Sequence, residues 1–294
     1  MKTVGFIGLG IMGRPMAKNL LKAGYALRVC DVNPEPVADL AALGATPCAT
    51  PREAAQGVDV VITMLPNSPE VRQVILGPDG VLAGAASGVI IVDMSSIAPE
   101  ASREMAAAAA GKGIPMLDAP VSGGEPGAIN ATLAIMVGGD AEAFAKVKDL
   151  LLTMGKSAVY IGGSGSGNVC KLANQIVVAL NIIAISEAYT LAAKAQTDPK
   201  IVFEAIKGGL AGSNVMNAKS PLMFARNFKP GFRIELHRKD LRNALDTGEA
   251  TGHPLPFTHL AFDVLEKLIA EGKGKDDHGG IVQYFEALTG VTVE

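Results

Sequence analysis

The chain has 294 residues, 49% hydrophobic and 19% charged, with a mean hydropathy of +0.30. That composition can bury a large core and excludes intrinsic disorder. Net charge is −3 with no basic block, which argues against a nucleic-acid or anionic-membrane partner. Cys30, Cys48 and Cys170 show no C-x-x-C spacing, and the four histidines form no H-E-x-x-H pair. A disulfide framework and a metal site are therefore not expected, and the expected address is the cytoplasm. Glycine is in excess, 34 residues, about 12% against a usual ~7%. There is no collagen period, so these glycines must serve particular backbone positions.

The N-terminus imitates a signal peptide, with Lys2 followed by an apolar run to Met12. Gly5, Gly8 and Gly10 interrupt the run, it continues into Arg14, and no A-x-A site follows, so it is a strand and loop. Strands are expected at Thr3–Ile7, Leu27–Cys30, Val58–Thr63, Val89–Val92, Met116–Asp118, Leu133–Val137 and Ala158–Ile161. Helical patterns such as Gly13–Ala23, Ser102–Ala110 and Ala141–Met154 lie between several of them. Such alternation implies parallel βαβ units covered on both faces. The glycine cluster at 162–167 breaks the pattern. Beyond it come only helices: a long one over Asn168–Ala195, apolar around most of its circumference, then Pro199–Lys207, Arg238–Thr247 and Phe257–Glu271. A helix apolar all round is buried or shared with another subunit. Its most apolar run, Ile176–Ile185, has ten residues, too few to span a bilayer. The expected fold is α/β: an N-terminal Rossmann-type doubly wound sheet over 1–162, then an all-α domain over 163–294.

Gly8-Leu9-Gly10-Ile11-Met12-Gly13 is a complete G-x-G-x-x-G that follows a strand and opens a helix. Gly8 permits the tight turn, Gly10 the approach of a pyrophosphate, and Gly13 close helix–strand packing. The helix N-terminus offers N–H groups and partial positive charge to phosphates. Asp31 ends the second strand, where a carboxylate can accept from ribose hydroxyls and repel a 2′-phosphate. The same residue can simply start the turn at Asn33-Pro34. This pattern favours NAD(H), with NADP(H) still admissible.

Ser122, Gly123 and Gly124 follow the strand ending at Asp118. They offer a hydroxyl and unshielded N–H groups suited to a small carboxylate, or else an ordinary glycine turn. Lys171 is expected in the first turn of the long helix, with Asn174 and Gln175 on its face. A helix N-terminus and an apolar surround both disfavour the ammonium, which suits proton transfer. The alternative is a surface lysine lying along apolar neighbours.

Five ordered stretches carry a resemblance across essentially the whole chain: GFIGLGIMGRPMAKNL from Gly5, DMSSIAP from Asp93, DAPVSGGEPGA from Asp118, GSGNVCKLANQ from Gly165 and HRKDLRNALD from His237. The sequence resembles the β-hydroxyacid dehydrogenases, and within them the tartronate semialdehyde reductase subgroup. The resemblance implies Lys171 as proton donor and acceptor, and Ser122-Gly123-Gly124 as the substrate carboxylate site. It implies that Asn174 bonds substrate and helps place Lys171, with Gln175 beside it. Leu65, Pro66 and Asn67 would line the dinucleotide, Ser96 would approach its nicotinamide end, and Lys239, with Asp240, would close over the cofactor. The implied reaction is reversible hydride transfer between NAD(H) and a short 3-oxo or 3-hydroxy acid, tartronate semialdehyde giving D-glycerate. Alternatives are 3-hydroxyisobutyrate or another short hydroxyacid, and a non-catalytic dinucleotide-binding module. A homodimer or homotetramer paired through the helical domain is also implied, with no membrane or nucleic-acid partner.

Overall fold

The computed structural model describes residues 2–294. It divides into two compact units, the first ending at Lys171 and the second Leu172–Glu294.

The first unit is built on nine strands: β1 Thr3–Ile7, β2 Ala26–Cys30, β3 Thr46–Pro47, β4 Val60–Thr63, β5 Ile90–Asp93, β6 Met116–Asp118, β7 Val121–Ser122, β8 Leu133–Gly138 and β9 Gly155–Gly162. The order β3-β2-β1-β4-β5-β6 is parallel throughout. Its strands read as continuous apolar runs because helices cover both faces. Alternate residues feed two cores. Phe6, Val29, Ile62 and Val92 enter one, and Ile7, Val61 and Ile91 enter the other. The helix Gly13–Lys22 buries Met16, Ala17 and Leu20 on the first face. The helix Pro99–Ala110 buries Ala101, Met105 and Ala109 on the second.

The sheet departs from the all-parallel expectation at one end. β8 runs antiparallel to β6 and β7, and β9 is parallel to β8. A parallel return needs a crossover of about a dozen residues or more. Between β7 and β8 there is room only for the six-residue helix Gly124–Ile129 and a short turn. Two strands were not expected, Thr46–Pro47 and Val121–Ser122, because two residues carry no periodicity. Pro120 interrupts what is otherwise one continuous edge against β8, so that β7 restarts beyond it.

The long helix runs Ser166–Lys194. It is long and apolar enough to cross a membrane by length and composition, so the ten-residue count understated it. Its buried positions nevertheless include Asn168, Lys171, Gln175, Ser186 and Thr190. Ala179, Ile182, Ile185 and Tyr189 join the core of the second unit with Met216, Leu241, Leu265 and Ile281. That unit is completed by helices Pro199–Ile206, Asn214–Phe224, Ile234–Thr251, Pro256–Ala270 and Val282–Thr289.

The start of the long helix is set by a carboxylate distant in sequence. Asp118, at the end of β6, accepts from the N–H of Gly165 and the N–H of Asn168, both at 2.8 Å. Those are orphan donors of a helix N-terminus. Gly167 also approaches closely: a Cβ there would lie 2.4 Å from the Asp118 carbonyl oxygen. The helix therefore begins at Ser166, two residues before the expected start. Lys171 consequently sits in the second turn, and a helix dipole acts mainly within the first. Asp118→Ala would leave two buried N–H groups unpaired, and a loss of about 2–4 kcal/mol is expected. Urea unfolding measures it; an unchanged midpoint would remove this cap.

Candidate active site

The glycine loop joins β1 to the helix Gly13–Lys22 at the point where the sheet order reverses, the customary ligand crevice of such sheets. Gly8 has φ +94°, a backbone that side chains rarely adopt, and a Cβ on it would meet the Met64 carbonyl oxygen at 2.3 Å. A Cβ on Gly13 would fall 1.9 Å from the Gly8 carbonyl oxygen. Gly10 is different: nothing lies within 4 Å of its Cβ position, so the loop is open there. The helix has no side-chain cap and no acidic residue in its first turn. An uncapped terminus facing open space fits an anionic pyrophosphate. Ile11 is exposed and Met12 half-buried beside it.

Asp31 makes two backbone contacts, one in its own turn and one to the glycine loop. Its Oδ1 accepts from the Asn33 N–H at 2.7 Å, which is the turn. Its Oδ2 accepts from the Leu9 N–H at 2.5 Å, which ties it to the glycine loop. Leu9 is buried and its amide is spent on Asp31, so phosphate contacts are left to the amides beyond it. A carboxylate has about four acceptor positions, so ribose hydroxyls still find room.

Leu65, Pro66 and Asn67 follow β4, and Ser96 follows β5. The two loops are tied together, since the Leu65 N–H donates to Ser95 Oγ at 2.9 Å. Asn67 Oδ1 is buried without a hydrogen-bond partner. Such an orphaned acceptor fits a site whose ligand supplies the donor.

Beneath these loops Asp93 is fully buried. Its Oδ1 accepts from Thr63 Oγ1 at 2.8 Å and from the Ser95 N–H at 3.1 Å, while Oδ2 has no partner. Burial pushes its pKa up to about 6. Hydrogen bonds from Ser95 and Thr63 oppose that rise, and the Asp118 carboxylate adds to it. Asp118 is also raised by burial, against the N–H donors of its helix cap.

Three of the motif stretches meet through Asn168, which is fully buried. Its Oδ1 accepts from the Ile97 N–H at 3.1 Å, its Nδ2 donates to Ser102 Oγ at 3.0 Å, and its own N–H goes to Asp118. The stretches from Asp93, Asp118 and Gly165 are thus joined at one residue that sequence reasoning did not single out. Gly123, at φ +140°, turns the chain from β7 into the next helix and leaves Ser122 half-buried. Lys171 is 6% exposed, so it is not a surface lysine.

Asn174, Gln175 and Lys239 belong to the second unit. Asn174 Nδ2 donates to Gln175 Oε1 at 2.8 Å, and Gln175 Nε2 donates to Asp240 Oδ2 at 2.6 Å. The other oxygen of Asp240 is 3.1 Å from Lys239 Nζ. Gln175 is therefore a relay that orients Asn174. Two histidines remote in sequence support it. His237 Nε2 meets the Gln175 carbonyl oxygen at 3.1 Å, and His237 Nδ1 meets His278 Nδ1 at 3.0 Å. Their pairing reflects no local spacing, which is why the sequence hid it. No cluster of three metal-ligating side chains occurs among the described residues.

Two family models match. One is the NAD-binding domain of 6-phosphogluconate dehydrogenase, over residues 3–162. The other is the NAD-binding model of NADP-dependent 3-hydroxyisobutyrate dehydrogenase, over residues 165–285. The chain is 44% identical to 2-hydroxy-3-oxopropionate reductase of Escherichia coli (strain K12), with 97% of each chain covered. The chain belongs to the β-hydroxyacid dehydrogenase family. This β-hydroxyacid dehydrogenase is also 39% identical to 2-(hydroxymethyl)glutarate dehydrogenase of Eubacterium barkeri, over 99% of its own length and 97% of the relative's. Its fold matches 3-hydroxyisobutyrate dehydrogenase of Mycobacterium tuberculosis, solved with L-serine, at a TM-score of 0.90 and 36% identity, covering 97% of this chain and 99% of that one. It is an NAD(P)-dependent oxidoreductase acting on CH–OH groups, with the expected Rossmann and helical architecture.

The raised pKa of Asp93 fixes the sign of a stability effect. A carboxyl whose native pKa exceeds its unfolded value of about 3.9 binds protons more readily when folded. Its destabilising contribution is absent below the unfolded pKa and complete above the native one. Relative to Asp93→Asn, the wild type should lose on the order of 2–3 kcal/mol between about pH 4 and pH 7. Urea midpoints at the two pH values measure this, and parallel shifts in both proteins would contradict it.

Proposed function

We propose that this dehydrogenase reduces tartronate semialdehyde to D-glycerate with NADH, and that Lys171 is its general acid and base. The observation carrying the substrate assignment is the 44% identity over 97% of the chain to a 2-hydroxy-3-oxopropionate reductase. The observation supporting the lysine is its burial, 6% exposed, in the helix that Asp118 caps.

The residues of the glycine loop, Asp31, Leu65, Pro66, Asn67, Ser96 and Lys239 are proposed to hold the dinucleotide, which supplies hydride chemistry when bound. The Ser122 hydroxyl and the N–H groups of Gly123 and Gly124 are proposed to hold the substrate carboxylate, with Asn174 as a further hydrogen-bond partner. As the aldehyde carbon accepts hydride, Lys171 Nζ donates a proton to the forming alkoxide, and the ammonium stabilises its charge. In oxidation the neutral amine takes the hydroxyl proton back. Fixing both reactants contributes proximity and orientation. Buried Lys171 and the Asn174–Gln175–Asp240 hydrogen-bond chain favour this reading over a non-catalytic module.

A homo-oligomer paired through the helical unit is part of this proposal, with Val177 and Leu191, exposed on the long helix, as candidate contacts. A cytoplasmic address is part of the same proposal, in keeping with three cysteines that show no C-x-x-C spacing.

Lys171→Ala should lower kcat by about 10²–10⁴-fold while NADH binding persists. Steady-state turnover together with calorimetric NADH titration separates the two, and near-native turnover would exclude the lysine from the chemistry. In a parallel assay with tartronate, methylmalonate and succinate semialdehydes, the highest kcat/KM is expected for tartronate semialdehyde. A tenfold advantage, about 1.4 kcal/mol, for another semialdehyde would reassign the substrate.

A further inference from the structure

Beside the glycine loop lies a cleft of about 580 Å³, whose lining includes Leu9, Gly10, Arg14, Lys18, Asn33 and Glu35. Arg14 and Lys18 are its only lining cations, and both are already engaged. Arg14 Nη1 lies 3.0 Å from Glu35 Oε1, and Arg14 Nε lies 2.7 Å from Asp39 Oδ2. Lys18 Nζ lies 2.7 Å from the same Asp39 oxygen. The arrangement is written into two facing helices. Arg14 and Lys18 stand four apart on Gly13–Lys22, and Glu35 and Asp39 stand four apart on Pro34–Ala42. The hydrogen bonds from Arg14 and Lys18 hold the Asp39 carboxyl down at about 2.

The position of the cluster gives it a consequence. Asp31 is bonded to Leu9 and Asn33, two residues of that cleft region. A 2′-phosphate on a ribose directed by Asp31 is a dianion and needs a cation to replace its water. Glu35 and Asp39 have consumed the charge of both available cations, and Glu125 adds a further carboxylate to the lining. We propose that Glu35 and Asp39 form an acidic clamp that withholds Arg14 and Lys18 from a 2′-phosphate and so sets selectivity for NADH over NADPH. This inference rests on the reading of Asp31 as the ribose partner. It adds that discrimination resides in neighbouring cations whose charge is offset by carboxylates, as well as in the Asp31 charge.

The test is calorimetric binding of NADH and NADPH, and of the fragments 5′-AMP and adenosine 2′,5′-bisphosphate, to wild type and Glu35→Gln/Asp39→Asn. Partly exposed ion pairs add little to folding stability, so the variant should fold; circular dichroism checks this. The ratio of NADPH to NADH dissociation constants should fall about fivefold or more, and the fragment pair should follow. Adding Arg14→Gln to the variant should reverse most of the gain. A ratio within about twofold of wild type overturns the clamp. Equal losses for both cofactors also overturn it, because the cluster then only shapes the cleft. If the double variant does not fold, Glu35→Gln alone carries the test, with a shift of about twofold or more expected and an unchanged ratio overturning the proposal. Wild-type preference for NADPH would instead defeat the reading of Asp31, and the variant ratio would still report on the clamp.

Discussion

The Asp118 carboxylate, buried at the end of β6, is the constraint from which the arrangement of the first unit follows. A helix entering a packed interior brings unpaired N–H groups that water cannot reach. Here the two oxygens of Asp118 take those of Gly165 and Asn168. Burial makes the carboxylate costly, and bonding to several N–H donors offsets the cost. Asn168 then spends its side chain on Ile97 and Ser102, locking the third motif in place. Lys171 lies three residues further along, so its position follows from a carboxylate more than fifty residues earlier.

The second unit uses a different device. Asn174, Gln175, Asp240 and Lys239 form a connected polar chain, backed by the His237–His278 pair. In low-dielectric surroundings such a chain is favourable only when its members find partners, and it then restricts each of them to one orientation. Gln175 is the clearest case: it accepts from one neighbour and donates to the next. An amide can do both, which a carboxylate cannot.

At the dinucleotide end the same economy appears in backbone form. Three glycines of one motif serve three ends: Gly8 a turn, Gly13 a close crossing, and Gly10 open space. Asp31 joins this loop to the following turn, while the two pairs Arg14–Lys18 and Glu35–Asp39 neutralise each other alongside. The cleft is therefore lined by charges whose number says less than their pairing.

Sequence alone determined the βα alternation, the helical second half and the glycine loop, and it named Asp31, Ser122 and Lys171 as candidates. Those signals are local: apolar periodicity, turn chemistry and motif spacing all act within a few residues. It missed the two-residue strands β3 and β7 and the antiparallel direction of β8, because strand direction depends on connection length and on what the edge pairs with. It missed Asn168, Ser95 and Asp93 as organising groups, and the bond from Gln175 to Asp240, because each acts through partners tens of residues away. The start of the long helix was misplaced for the same reason, since its cap comes from another strand. Local chemistry names candidate groups; only tertiary structure decides which buried donors and acceptors must meet, and so where those groups are held.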